Sequence, residues 1–215
     1  MKQILKIAVP KGYLLESTIK LLNKAGYDVS CFSKDSRQLF LQSETNGIKY
    51  IITRPMDVPV YVESGACDLG FAGKDVLLET ESNVFELMDT KDGYCRIIIA
   101  VKNGCQENVK NRYEHFGTIK VATKYPNITR KYFEKKGMQV EIIKLYGSVE
   151  LAPLLGIADE ILDITATGKT LTENNLVEME NVAKSTTRLI ANEVSYRIKN
   201  EIIEKFINNL KKAVN

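Results

Sequence analysis

Segments typical of β-strands and of α-helices alternate along most of this chain, and this alternation constrains its fold more than any other feature. Apolar, β-rich runs such as Ile4–Val9, Ile48–Thr53 and Ile119–Ala122 are each followed by a segment that places apolar residues on one helical face. Such alternation predicts an α/β fold. No internal repeat and no low-complexity linker interrupts this alternation. The absence of a linker favours two lobes that share strands over two separate domains joined by a linker.

The composition fits a globular chain and excludes several classes of protein. Of 215 residues, 44% are apolar and 27% are charged, which excludes a disordered chain, a collagen-like chain and a coiled coil. The net charge of +3 is too small, and the basic runs too short, for a protein that coats nucleic acid. We therefore expect no nucleic-acid partner, although small polyanionic substrates remain compatible with a few well-placed cations.

Histidine and cysteine usage narrows the chemistry. The only histidine, His115, excludes a two-histidine metal motif, and its polar surroundings predict an exposed surface connection. The four cysteines include no C-x-x-C pair, which excludes a zinc knuckle and a thioredoxin-like motif. The N-terminus lacks the apolar core of a signal peptide, and no apolar run reaches the ~18 residues of a membrane span. We expect a cytoplasmic protein with no membrane partner.

The last forty or so residues follow a different pattern from the rest of the chain. Leu176–Val182 and Thr187–Ala191 are predicted to be strands, and Asn192 is a good cap for a helix after them. Apolar residues recur there at four-residue steps, which predicts one long helix: Val194, Ile198, Ile202, Phe206, Leu210 and Val214.

The stretch Ile161–Leu171 carries the strongest single indication of function. A buried strand reaches Asp163, and a loop of small hydroxyl residues then leads into the start of a helix. Free backbone N–H groups at a helix start favour a bound phosphate. The loop adds hydroxyl donors, a glycine that allows close approach, and a cation: Thr165, Thr167, Thr170, Gly168 and Lys169.

Three interpretations of this loop compete. Gly168-Lys169-Thr170 ends like a P-loop, but that motif requires glycine where this chain has Asp163, whose carboxylate would face the phosphates. The second is a threonine-rich helix cap without a ligand. The third is a site for the phosphate of a ribose 5-phosphate, in which Asp163 accepts hydrogen bonds from ribose hydroxyls, as acidic residues do in dinucleotide sites. The third explains both the carboxylate and the hydroxyls.

The same stretch resembles the phosphoribosyl-pyrophosphate loop of the ATP phosphoribosyltransferase family, which catalyses the first step of histidine biosynthesis. Further segments resemble that family, in order and spacing, over nearly the whole chain: Pro10–Gly12, Asp35–Arg37, Arg54–Val62, Gly65–Asp75, Ala122–Tyr125 and Leu145–Leu154. Each alone is weak evidence, but their order together is specific. Because the chain ends with the helix after Asn192, it resembles the short form, which lacks a C-terminal regulatory domain.

The resemblance implies a two-lobed α/β fold like that of the periplasmic binding proteins, with mixed sheets flanked by helices and the active site in the interlobe cleft. Residues 1–90 with 175–215 are expected to form lobe I, and residues 91–174 lobe II, which carries the phosphoribosyl-pyrophosphate loop. The implied reaction is attack by N1 of ATP on C1 of phosphoribosyl pyrophosphate, with release of pyrophosphate. Mg²⁺ is the implied cofactor, and its ligands are not identified.

The resemblance also implies roles for individual residues. Cations are expected to stabilise the charge that develops on the leaving pyrophosphate: Lys11, Arg37 and Arg54. Phosphoribosyl pyrophosphate is expected to contact Glu150, Asp163, Thr165, Ala166, Thr167, Gly168, Lys169 and Thr170. The nucleotide is expected to contact Lys11, Gly73, Lys74 and Asp75. No general base is assigned, because adenine N1 already has a free lone pair and positioning suffices.

One position departs from the family pattern. The family usually has arginine after the Lys-Gly of the first motif, and this chain has Tyr13. Tyrosine cannot replace arginine at a bidentate contact with an anion without the loss of a charge. Either Lys11 takes over that contact or another residue supplies it.

A two-lobed solute-binding module without catalysis and a nucleobase-salvage phosphoribosyltransferase are the competing functions. The first has no need of the 163–170 loop, and the second typically has paired acids at the loop entry, where this chain has none adjacent. For the short form, the resemblance implies a homodimer that assembles with a regulatory subunit resembling histidyl-tRNA synthetase into a hetero-octamer.

Overall fold

The computed structural model of the protein describes residues 4–32, 38–43, 45 and 47–214. The strands are β1 (Leu5–Pro10), β2 (Phe40–Gln42), β3 (Ile48–Thr53), β4 (Leu69–Gly73), β5 (Phe85–Asp89), β6 (Cys95–Lys102), β7 (Ile119–Thr123), β8 (Val140–Lys144), β9 (Glu160–Thr165), β10 (Leu176–Ser185) and β11 (Thr187–Ala191). The helices are α1 (Tyr13–Lys24), α2 (Val58–Glu63), α3 (Lys74–Thr80), α4 (Gln106–Phe116), α5 (Pro126–Lys135), α6 (Leu151–Leu154), α7 (Lys169–Glu173), α8 (Glu193–Ile198) and α9 (Asn200–Val214). A 3₁₀ turn at Pro55–Asp57 precedes α2.

The contacts within the chain divide it into two compact units. The first unit comprises Met1–Gly93 and Thr186–Asn215, and the second comprises Tyr94–Ser185. The chain therefore leaves the first unit after Gly93 and returns to it at Thr186. Each unit contains a mixed sheet with helices packed on it, which is the α/β class that the alternating sequence pattern predicts.

The described strands of the first unit form a sheet in the order β2-β3-β1-β4-β11-β5. β3 and β4 run parallel to β1, which lies between them, whereas β11 runs antiparallel to β4 and β5. Neighbouring residues of β1 belong to different hydrophobic clusters. Ile7 packs with α9 residues such as Phe206, while Ala8 packs with Val58 and Val62 of α2. Because its faces are covered by different helices, β1 is apolar along most of its length.

The described strands of the second unit form a sheet in the order β10-β6-β9-β7-β8. β7 runs parallel to β8 and β9, and β6 runs antiparallel to β9 and β10. Ile98 and Ile161 are buried in a cluster with Ala152 of α6 and Leu171 of α7. α4 packs against β7, and α5 packs against β7 and β8.

The single long C-terminal helix predicted from the sequence is wrong, because the chain forms α8 and then α9, with Lys199 between them. The Asp68 carboxylate holds this break, since it accepts hydrogen bonds from Ser195 Oγ at 2.7 Å and from Lys199 Nζ at 2.8 Å. Val194 and Ile198 are 62% and 69% exposed, so the predicted stripe is not buried over its first turns. An α-helix has 3.6 residues per turn, so strict four-residue steps drift off one face.

The polar segment around His115 is also different from the prediction. It forms helix α4, which ends at Gly117 in the left-handed conformation, rather than a surface connection. His115 itself is exposed, as predicted. Within the described part of the chain, no helix is long and apolar enough to cross a membrane.

Candidate active site

In the first unit, the carboxyl ends of three parallel strands lie at one edge of the sheet. β3, β1 and β4 are neighbours and end at Thr53, Pro10 and Gly73, so the residues that follow them share that edge. The Lys11 N–H donates to the Thr53 carbonyl at 2.8 Å, which ties the loop after β1 to the end of β3. Lys11 and Arg54 are both exposed there. The structure thus places these two predicted cations at the same sheet edge.

Tyr13 lies at this edge as the first residue of α1. It is 78% exposed, so its ring does not fill the core in place of the arginine that the family usually has. Tyr13 therefore neither carries the positive charge of the usual arginine nor packs in the core. Among the described residues, the predicted cations near it are Lys11 and Arg54. The predicted Arg37, with the rest of Asp35–Arg37, lies outside the described residues.

Gly73, Lys74 and Asp75 form the end of β4 and the first turn of α3. The Asp75 side chain is only 6% exposed and folds back over Gly73, where a Cβ atom would lie 2.3 Å from Asp75 Oδ1. The backbone of Gly73 has an ordinary extended conformation, so the glycine is required by this close approach rather than by its dihedral angles.

Lys74 is held in an ion pair that the sequence did not predict. Its ammonium group contacts the Glu86 carboxylate of β5, and Arg188 of β11 lies 3.5 Å from Glu86 and 3.0 Å from Asp89. The antiparallel register of β5 and β11 brings these groups together, because Arg188 pairs with Asp89 and Ile190 with Glu86. No local signal in the sequence could have revealed this network, since Arg188 lies far along the chain from the other members and strand register brings it to them.

The predicted phosphoribosyl-pyrophosphate loop lies at the carboxyl edge of the second sheet. We call Asp163–Thr170 the site loop. It contains the end of β9, the connection 166–168 and the first two residues of α7. Gly168 has φ +79°, a left-handed conformation that glycine adopts without strain, and a Cβ there would meet no atom within 4 Å.

The threonines of the site loop have different surroundings. Thr165 is buried, and its Oγ1 accepts a hydrogen bond from the Gly168 N–H at 2.9 Å, which closes the turn. Thr167 and Thr170 are exposed, as are Ala166 and Lys169. Lys169 Nζ lies 3.7 Å from Glu173 in an exposed pair, which contributes little to stability. The loop therefore presents hydroxyl groups and a cation to solvent on a turn that Thr165 shapes.

Two carboxylates lie at this loop: Asp163 is its first residue, and Glu150 comes from the segment before α6. Asp163 is partly buried on β9, and its Oδ1 accepts the Ile164 N–H at 2.8 Å. Glu150 directly precedes α6 and follows the loop after β8, in which Ser148 has φ +48°. Because β7 runs parallel to β8 and β9, the loops after β8 and β9 lie at the same edge of the sheet. Glu150 and Asp163, which were predicted from separate segments of the sequence, therefore lie at the same edge of the sheet.

The predicted residues are distributed over both units. Lys11, Arg54 and Gly73–Asp75 belong to the first unit, and Glu150 and the site loop belong to the second. Among the described residues, no group of three or more His, Cys, Asp or Glu side chains forms a metal site.

One strongly perturbed carboxyl group lies at the opposite edge of the second sheet. Burial, and to a smaller extent the nearby Glu180 charge, raises the pKa of Glu160 to about 7, while Lys136 acts in the opposite direction. Glu160 begins β9, whereas the site loop follows the end of that strand. This pKa shift therefore concerns stability rather than the chemistry of the site loop.

Comparison with known proteins assigns the chain to a family. The family described as "HisG: ATP phosphoribosyltransferase" matches residues 54–212. An ATP phosphoribosyltransferase of Geobacter metallireducens is 45% identical over the full length of both chains. Another, from a Geobacillus species, is 46% identical and covers 98% of this chain and 99% of its own.

Solved structures agree at two levels of similarity. The ATP phosphoribosyl transferase (HisG:HisZ) complex from Thermotoga maritima matches with a TM-score of 0.83 and 38% identity over 98% of both chains. The aliphatic sulphonate binding protein SsuA from Escherichia coli matches at a TM-score of 0.63 with 12% identity, covering this whole chain and 73% of its own, which shows a shared periplasmic-binding-protein-like fold and no more. No comparison favours a solute-binding or nucleobase-salvage function for this chain. Its sequence identity, its extent of coverage and its fold all agree that the chain belongs to the ATP phosphoribosyltransferase family, the enzymes of the first step of histidine biosynthesis.

Proposed function

We propose that this chain binds phosphoribosyl pyrophosphate through its site loop and transfers the phosphoribosyl group to N1 of ATP. The N1 lone pair forms the new bond to C1 of the ribose, while the bond from C1 to the pyrophosphate oxygen breaks and that oxygen keeps the electron pair. The observation that carries the proposal is the exposed turn of hydroxyl residues after Asp163, closed by Thr165. Its family membership supports the same reaction.

The site loop has the groups that a ribose 5-phosphate needs. Thr167 and Thr170 are exposed and donate hydroxyl hydrogen bonds to the phosphate, while Gly168 leaves room for close approach of the ligand to the backbone. Ala166 and Lys169 contribute the rest of the exposed turn. Asp163 and Glu150 are the acceptors for ribose hydroxyls at the same sheet edge. Hydrogen bonds to a charged group are worth about 1.5–3 kcal/mol each.

Cations of the first unit bind the anionic parts of the substrates. Lys11 and Arg54 are exposed at one sheet edge, and Arg37 completes the set in this proposal. They stabilise the charge that develops on pyrophosphate as it leaves. Gly73, Lys74 and Asp75 bind the nucleotide, with Lys74 oriented by Glu86.

Magnesium fits this arrangement as an ion that the substrate carries. Mg²⁺ usually keeps several waters and binds through one or two carboxylates together with substrate phosphates. Asp163 of the site loop would be the carboxylate that holds the ion, together with phosphate oxygens of the substrate. When bound, the ion neutralises charge on the leaving group.

The reaction is tested by pyrophosphate release from purified protein. We expect release to require both phosphoribosyl pyrophosphate and ATP. Release should fail when ATP is replaced by free adenine, which a nucleobase-salvage enzyme would accept as a substrate. The assay is run with and without a HisZ-like subunit, so that a requirement for a partner does not hide activity. Tight binding of phosphoribosyl pyrophosphate without release under either condition would instead favour the solute-binding alternative.

We also infer a regulatory partner and a reducing compartment. The Thermotoga maritima relative was solved as a HisG:HisZ complex, which supports a HisZ-like partner here. We further propose that a homodimer of this chain assembles with that partner into a hetero-octamer. The four cysteines, all among the described residues, form no disulfide bond, which supports a cytoplasmic location. Light scattering after size exclusion, with this chain alone and mixed with a HisZ-like subunit, measures both assembly states.

A further inference from the structure

A groove of about 540 Å³ opens on the second unit, away from the site loop. Helix α4 lines it, together with Lys102 at the end of β6 and Asp159 just before β9. Since β6 and β9 are antiparallel, with Val101 opposite Glu160, the groove lies at the sheet edge where β9 begins. The site loop follows the other end of β9. The groove is therefore a separate cavity, and its volume is within the range of small-molecule sites.

The groove combines an apolar surface with positive charge. Val109 is buried in its lining, and Phe116 is 65% exposed with the Arg112 guanidinium 5.7 Å from the centre of its ring. Lys102 and His115 also line it. The side-chain amide of Asn108 adds a hydrogen-bonding group at the same surface.

The negative charge in the lining is already engaged. Among the described residues that line the groove, the one carboxylate is that of Asp159. It lies 3.3 Å from Arg112 Nε and accepts the Lys120 N–H at 2.8 Å. The acids of α4, Glu107 and Glu114, lie outside the lining. Lys102 and Arg112 against Asp159 leave the groove with a net positive charge.

We propose that this groove binds a small aromatic carboxylate. The carboxylate pairs with the Lys102 ammonium and the free N–H groups of the Arg112 guanidinium, which is suited to that geometry. The aromatic ring packs on the exposed ring of Phe116. This assignment does not depend on the proposed transferase reaction, because it uses none of the residues assigned to that reaction.

The test uses 1-naphthoate as the probe and His115 as the reporter. His115 is the only histidine in the sequence, so tag-free protein gives a single imidazole Cε1–H signal in a ¹H–¹³C spectrum. We expect a saturable shift of that signal, with a dissociation constant of ~1 mM or lower for a ligand of this size. The uncharged analogue 1-naphthylmethanol and inorganic phosphate separate the ring and charge contributions, and each is expected to bind at least about threefold more weakly.

Two variants make the outcome decisive. Lys102→Gln removes an exposed charge from the lining and is expected to weaken 1-naphthoate binding about threefold. Lys110→Gln removes an exposed charge from the same helix outside the lining and is expected to leave binding unchanged. Equal binding by both variants, equal binding of the uncharged analogue, or no saturable His115 shift would overturn the proposal.

Discussion

The threonines of the site loop differ in role although they lie close together in sequence. Thr165 is buried and accepts the Gly168 N–H at 2.9 Å, so it shapes the turn, whereas Thr167 is exposed and accepts the Lys169 N–H only at 3.4 Å. A hydroxyl that faces solvent is available to a phosphate, while one that already closes a turn is less so. The two positions are therefore expected to respond differently to substitution.

Thr167→Ala is expected to raise KM for phosphoribosyl pyrophosphate about tenfold, because one hydrogen bond to a charged phosphate is lost. The free energy of unfolding should change little, since the residue is exposed. Initial-rate kinetics with varied phosphoribosyl pyrophosphate measure the effect. Thr118→Ala is the matched control, an exposed threonine just before β7 at the other edge of the same sheet. Unchanged KM in Thr167→Ala would remove this hydroxyl from the site.

Glu160 is expected to make stability depend on pH. Its pKa is raised from 4.5 to about 7 by burial, so the folded state keeps its proton in a range where the unfolded chain has lost it. The unfolded state then binds fewer protons, and the Glu160 contribution to stability falls as pH rises through that range. Glu160→Gln is therefore expected to be more stable than the parent chain by about 2 kcal/mol at high pH.

Urea unfolding across the same pH range measures this effect. The parent chain should lose stability relative to Glu160→Gln as pH rises, and the two should converge in acid. Glu134→Gln, which replaces an exposed glutamate on α5, is the control and should keep the pH slope of the parent chain. Parallel pH profiles for the parent chain and Glu160→Gln would contradict the assignment.

At the scale of elements, the sequence predicted strands where β1, β3, β7, β9, β10 and β11 lie, and the starts of α7 and α8. Asn192 was predicted to cap a helix, and its Oδ1 accepts the Ser195 N–H at 2.9 Å. Its amide also donates to the carbonyls of Val62 and Glu63 at the end of α2, which no local pattern indicates. The helix cap could be predicted from the local sequence. The contact of Asn192 with Val62, 130 residues away, could be seen only in the folded chain.

Asn192→Ala is expected to lower the free energy of unfolding by about 2 kcal/mol, because it removes a helix cap and leaves two α2 carbonyls without this donor. Chemical unfolding followed by circular dichroism measures the loss. Asn208→Ala, an exposed position within α9, is the control and should be neutral or slightly stabilising. Similar behaviour of both variants would show that the cap contributes nothing specific.

At the scale of the whole molecule, the proposed substrate should stabilise the protein. A ligand that binds only the folded state at 100 times its dissociation constant adds about 2.7 kcal/mol. We expect phosphoribosyl pyrophosphate with Mg²⁺ to raise the melting temperature by roughly 5–10 °C in a chain of this size. Scanning calorimetry measures the shift, with inorganic phosphate at equal concentration as the control. No shift beyond that of phosphate would contradict binding by this chain alone.

The sequence alone was sufficient for the α/β class, the order of the strands along the chain and the hydroxyl-rich loop, because these depend on local periodicity and turn chemistry. Only the folded chain established the pairing of Lys74 and Arg188 with Glu86, the break between α8 and α9 held by Asp68, and the groove beside α4. Each of these joins residues that are distant in sequence, and their contacts depend on strand order and register. Those are properties of the packed sheets, which no short segment encodes.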